Sequence, residues 1–135
     1  MSITLAEAQK AIAASIAKAE ELGVKVGVAV VDDQARVVAV ARMDDANFTF
    51  LPEAAVGKAM ATVLWNGQPS GVLQERANVP IFQAVKDLHG GRVIYQQGAV
   101  PVMRGGKTVG AIGAGGASAQ IDEDISAAGA AAIDD

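Results

Sequence analysis

The stretch VGAIGAGGASAQIDED, Val109 to Asp124, carries four glycines and then three acids within four residues. A glycine-rich turn opening a helix often cradles phosphate, so its reading decides whether the chain holds a parallel nucleotide-binding unit. The dinucleotide fingerprint asks for G-x-G-x-x-G after the first strand of such a unit, with an acid about 20 residues on. Gly113-Ala114-Gly115 starts the pattern, but Ser118 holds the third glycine position and only 17 residues follow it. No further βα unit can be completed in that length. A P-loop ends in Gly-Lys-Ser/Thr, and Gly116-Ala117-Ser118 has no lysine. Asp122, Glu123 and Asp124 occupy the first turns of the helix, where they complement its positive end and would repel a phosphate. The glycines are therefore read as structural. They let a strand turn sharply into a helix and pack closely against it, with Ser118 as N-cap.

Upstream, Gly105-Gly106-Lys107 is a tight turn between two extended runs, Ala99 to Arg104 and Thr108 to Ala114, and Arg92 to Gln97 is a further extended piece. At the other end of the chain, Val24 to Val31 and Arg36 to Arg42 are β-branched-rich strands around the polar turn Asp32-Asp33-Gln34, an antiparallel hairpin. Thr4-Leu5-Ala6-Glu7 fits a capping box. Leu5, Ala8, Ile12, Ile16, Ala19 and Leu22 follow it at helical spacing, and Gly23 ends the helix. Met43 to Phe50 is a loop, and Pro52 opens a helix over Glu53 to Trp65. Two short helices follow, Ser70 to Asn78 and Pro80 to Leu88, with His89-Gly90-Gly91 as the stop. The last helix runs from about Ser118 to Ile133, its apolar face drawn through Ile121, Ile125, Ala128 and Ala132. The order is α-β-β-α-α-α-β-β-α. Hairpins toward both ends with helices between and outside them imply an α+β fold, an antiparallel sheet flanked by helices.

At 135 residues one domain, 1–135, is expected. The chain is 51% hydrophobic but only 4% aromatic, so small side chains supply most of the apolar count. Such a chain gains by burying surface against copies of itself, and a homo-oligomer, a dimer or larger, is expected. The small residues Ala127-Ala128 and Ala130 to Ala132 on the last helix are a candidate contact. Net charge is -4 and the basic residues are scattered, which excludes the footprint of a nucleic-acid binder. No apolar run reaches the roughly 20 residues of a membrane span, and the N-terminus does not read as a secretory signal. A cytoplasmic location is expected. Without cysteine there is no disulfide, thiolate metal site or cysteine nucleophile.

Several segments together resemble the GlcG/HbpS-like family, which includes haem-binding proteins and the C-terminal domain of PduO-type corrinoid proteins. They are Gly110 to Gly113, Gly116-Ala117 and Gln120 to Glu123 in the last strand and helix, Arg42-Met43-Asp44, and Gly57-Lys58-Ala59. Ala99-Val100-Pro101 and Gly105-x-Lys107-x-Val109-Gly110 fit its last hairpin. The resemblance spans essentially the whole chain. It implies a profilin-like three-layer arrangement, assembly into oligomers, and a tetrapyrrole such as haem as ligand and cofactor. Two departures stand out. Ala114-Gly115 replaces a more usual Val-Ser, and the first helix lacks the early histidine that haem-binding relatives can use.

His89 is the only histidine, so no histidine metal cluster exists and a Ser-His-Asp triad would need this residue. The plain reading is a cap or surface group at a helix end. The functional one is a haem axial ligand or a general base. Tyr95 and methionines 43, 60 and 103 are the other conceivable axial ligands, each equally accounted for by packing. Arg42, Asp44 and Asp45 close the second strand, where they could face a pocket with Lys58, the guanidinium suiting a propionate or a small organic acid. Lys58 lies on an otherwise apolar helix and needs a partner. A structural ion pair with Asp44 is the plain reading and a catalytic base the other. Asp122, Glu123 and Asp124 lack calcium-loop spacing and read as helix-end charges.

The expected function is a small-ligand-binding oligomer taking haem or another tetrapyrrole through Arg42, Asp44, Lys58, His89 and Tyr95. The alternative is a small metal-free catabolic isomerase or lyase acting on an organic acid. Arg42 would then anchor the carboxylate, and Lys58 or His89 would move the proton. A purely structural assembly subunit is a third reading.

Overall fold

The computed structural model describes residues 2–134. Its elements are α1 (Leu5–Glu21), β1 (Gly27–Asp32), β2 (Val37–Arg42), α2 (Leu51–Leu64) and α3 (Ser70–Gln74). After these come α4 (Pro80–Leu88), β3 (Ala99–Arg104), β4 (Lys107–Gly115) and α5 (Ala119–Ile133). The fold is α+β with the expected order. Its four strands form one antiparallel sheet ordered β2-β1-β4-β3, so the two hairpins meet along the central β1–β4 ladder.

The sheet divides two cores. Val28, Val30, Ile112 and Ala114 face α1 and α5, packing with Ala8, Ile12 and Ile125. Val31 and Ala111 face α2, packing with Ala59, Met60, Leu73 and Phe82. Helices therefore cover both faces, which makes three layers. Alternation along each strand produces this division directly. Among the described residues no helix is long and apolar enough to cross a membrane.

Local signals hold where they are chemically specific. Thr4 and Glu7 form the full capping box of α1, Ser118 Oγ accepts from Ile121 N at α5, and Gly23 follows α1 with φ 71°. Gly105 and Gly106, at φ 57° and 76°, make the β3–β4 turn, where both residues need the left-handed region.

Some expectations are corrected. Arg92 to Gln97 joins no ladder, because Ile94 N turns to Gly57 O of α2 instead. The helix expected over Ser70 to Asn78 ends at Gln74 and continues as turns. Leu5 and Leu22 are exposed at the ends of α1. The buried stripe of α5 is Asp122, Ile125, Ser126, Gly129, Ala130 and Ile133, so the apolar face drawn through Ala128 and Ala132 is displaced. Small residues cause the shift. Gly129 lets α1 approach until an added Cβ would stand 2.9 Å from Ala11 O, and Ser15 Oγ donates to Ile125 O at 2.8 Å.

Arg104, on β3, ties three elements by donating to the Glu7 carboxylate and to Ile133 O. The Arg104 guanidinium and the Thr4 backbone N–H hold the Glu7 carboxyl down at about 2, from an ordinary 4.5. A depressed carboxylate contributes stability that is full above pH 4.5 and is lost as pH falls toward about 2. A Glu7→Gln protein should therefore show a flatter stability profile across that window, measured by denaturant unfolding at stepped pH.

Candidate functional site

The glycine-rich turn that ends β4 is filled by the protein's own carboxylate. Asp122, one turn into α5, accepts from Ala117 N at 2.9 Å through Oδ1 and faces Lys58 Nζ at 3.4 Å through Oδ2. The anion position offered by the turn is thus already taken, in keeping with the absence of a phosphate motif. Asp122 is not a surface helix-end charge but a buried one, and Lys58 is buried with it. Burial pushes the Asp122 carboxyl above the usual aspartate range, against the pull of Ala117 N–H and Lys58.

Lys58 comes from the middle of α2, a helix buried almost all round because it lies on the sheet with α3 beside it. Its ammonium donates to Ala114 O at 3.0 Å as well as to Asp122. Gly98 and Gly115 leave it room, since a Cβ on Gly98 would stand 2.9 Å from Nζ. The pair forms the floor of a cleft of about 430 Å³ walled by Phe48, Phe50, Gln74 and Gln97. Phe48 and Phe50 stack at 5.2 Å on its rim, both more than half exposed. Of the other aromatics, Trp65 stacks on Phe82 in the α2 core, and Tyr95 meets Phe82 at a tilt of 54°.

The residues picked from the sequence do not converge. Arg42 and Asp44 line a separate cleft of about 570 Å³ with Met43, Ile16 and Glu20, and Arg42 Nη2 is engaged with Ala46 O at 2.5 Å. The expected Lys58–Asp44 pair is therefore replaced by Lys58–Asp122, and Arg42 and Lys58 line different clefts. Tyr95 is buried, donating to Phe82 O at 2.7 Å and accepting from Trp65 Nε1 at 3.3 Å. Met60 is in the core, Met43 Sδ accepts from Val26 N, and Met103 Sδ from Thr108 Oγ1. His89 caps α4 with Nδ1 at 2.9 Å from Val85 O, and Nε2 has no hydrogen-bond partner among the described residues. Among the described residues no three acids or histidines are grouped to hold a metal ion.

A third depression went unread in the sequence. It is an apolar groove of about 540 Å³ between the edge strand β2 and α2, walled by Val40, Pro52, Val56 and Ile94 and bounded by Gly91 and Arg92. Arg92 Nε donates to His89 O at 3.1 Å, so the guanidinium is anchored beside His89, and among the described residues its terminal nitrogens have no hydrogen-bond partner. Alternation in β2 was the available signal, because it puts Val40 on the α2 face opposite Ala29.

A family model described as "Haem degrading protein HbpS-like" matches residues 3–131. The chain is similar to a double mutant of Streptomyces reticuli HbpS at 32% identity and a TM-score of 0.86, covering 100% of this chain and 89% of that one. It is similar to Klebsiella pneumoniae protein ORFY at 28% identity and a TM-score of 0.83, covering 96% and 89%. It is also similar to PduOC, solved as a haem complex, at 25% identity and a TM-score of 0.83, covering 98% and 96%. No curated protein sequence matches the chain.

Proposed function

This chain belongs to the HbpS-like family, and from that membership we propose that it binds haem or a related tetrapyrrole in the groove between β2 and α2. The observation that carries the proposal is the groove's chemistry. Val40, Pro52, Val56 and Ile94 offer apolar walls to a flat macrocycle, and Arg92 stands at the rim for a propionate. Its volume of about 540 Å³ falls within the usual range of ligand pockets. His89, the chain's one histidine and two residues before Gly91, would hold the iron through Nε2. When bound, the haem would supply the iron chemistry. The apolar walls would exclude water from its faces, and Arg92 would orient it through a propionate. A relative solved as a haem complex supports haem as the ligand class. The reading also takes the protein as a cytoplasmic homo-oligomer, in keeping with its cysteine-free, alanine-rich composition.

Haemin titration followed in the Soret band tests it. We expect a saturable spectrum at one haem per subunit, displaced in position and weakened about tenfold by His89→Ala, a loss of about 1.4 kcal/mol. Arg92→Ala should weaken binding without moving the band. A featureless, non-stoichiometric rise in all three proteins would overturn the proposal.

A further inference from the structure

The cleft over Lys58 is separate from that groove and makes a different demand on a ligand. An ammonium has three N–H donors. Lys58 uses one on Ala114 O and one on Asp122 Oδ2, and the third has no acceptor among the described residues. Nζ is not walled off by side chains on Gly98 or Gly115. A buried donor of this kind attracts an oxygen, but Asp122 already neutralises the charge, so a second carboxylate would meet Asp122 as a like charge.

The polar walls narrow the ligand further. Gln74 Oε1 accepts from Gln97 N at 2.8 Å, which turns the Gln74 NH2 into a spare donor. Gln97 Nε2 donates to Gln120 Oε1 at 3.1 Å, which leaves Gln97 Oε1 as a spare acceptor. The cleft is therefore lined by donors on Lys58 and Gln74, an acceptor on Gln97 for an N–H, and the stacked Phe48–Phe50 pair for a flat ring.

We propose that the Lys58–Asp122 cleft is a binding site for a small planar carboxamide. Its carbonyl oxygen takes the free N–H of Lys58 and its amide N–H goes to Gln97. The proposal does not rest on haem binding.

Benzamide and benzoate, titrated separately into 15N-labelled protein, test it. Benzamide should give saturable shifts at the Gly98, Gly115 and Gly116 amides, and benzoate should bind at least tenfold more weakly. In Asp122→Asn, where the side-chain oxygen still accepts from Ala117 N but the negative charge is gone, the preference should reverse toward benzoate. A single methyl at Gly115 serves as a second variant. This variant is Gly115→Ala, whose Cβ has only ordinary contacts, 3.6 Å from Lys58 Nζ and 3.7 Å from Leu51, so the protein folds while the methyl crowds the ammonium and benzamide binding weakens at least tenfold. No saturable shift with benzamide, tighter benzoate binding in the unmodified protein, an unchanged preference in Asp122→Asn, or undiminished binding in Gly115→Ala would each overturn the proposal.

Discussion

The Gly113→Ala protein should unfold about 10 °C or more below the unmodified chain, a loss of about 3 kcal/mol. A Cβ at Gly113 would stand 2.2 Å from Ala55 O and 3.1 Å from Ala59 N, both backbone atoms of α2. Neither can rotate aside, so the methyl must pry the helix from the centre of the sheet. Gly115→Ala is the control two residues along the same strand. Its nearest neighbour is the flexible end of Lys58 at 3.6 Å, and it should change stability by less than about 0.5 kcal/mol. Thermal and denaturant unfolding followed by circular dichroism compares them. Equal midpoints for the two would mean that the close approach of β4 to α2 is not what Gly113 serves.

Lys58→Met should cost about 3–5 kcal/mol at neutral pH, because it leaves the Asp122 carboxylate buried without its cation. The cost has a definite pH dependence. Burial already raises the Asp122 carboxyl above its ordinary 3.8, and Lys58 is one of the groups that restrain the rise. Removing Lys58 raises it further. An acid with a raised folded-state pKa binds protons more readily folded than unfolded, so its penalty grows as pH climbs above 3.8 and fades as pH falls back toward it. The Lys58→Met protein should thus regain stability relative to the unmodified chain on acidification from pH 7 to pH 5. Adding Asp122→Asn should recover about half of the loss at pH 7, since a neutral amide still accepts from Ala117 N. A loss independent of pH would assign the effect to packing alone.

The fold was legible because its signals are local. The Thr4–Glu7 box, the Gly105-Gly106 turn, the β1–β2 alternation and Pro52 each concern residues a few positions apart, where backbone chemistry constrains the outcome. The site was less legible. Lys58 on an apolar helix announced that it needed a partner, but that partner lies 64 residues away, and the nearby Asp44 was the wrong choice. One signal pointed to Asp122. It sits three residues before Ile125 and seven before Gly129, on the stripe that faces inward, whereas Glu123 and Asp124 do not. Phasing α5 on its large residues Ile121 and Ile125 concealed this, because Ser126, Gly129 and Ala130 let the smaller side pack closest. Arg42 failed as a pocket residue for a plainer reason. It turns back onto the carbonyl of Ala46 in its own loop, which no spacing rule displays.

The β2-β1-β4-β3 order sets the sequence of events on the way to the native state. The N-terminal hairpin can close on its own, but β1 pairs on its other side with a strand 88 positions later at Gly27–Gly115, and α1 waits for α5 across 110 positions at Ser15–Ile125. Contacts of that separation close late and slowly, on roughly the millisecond-to-second scale. During synthesis the strand that becomes the middle of the sheet is an open edge of Val28, Ala29, Val30 and Val31, uncovered until β4 has left the ribosome. The nascent chain is therefore most prone to aggregation just before β4 emerges, and substitutions that delay β4 should reduce soluble yield before they change the folded protein.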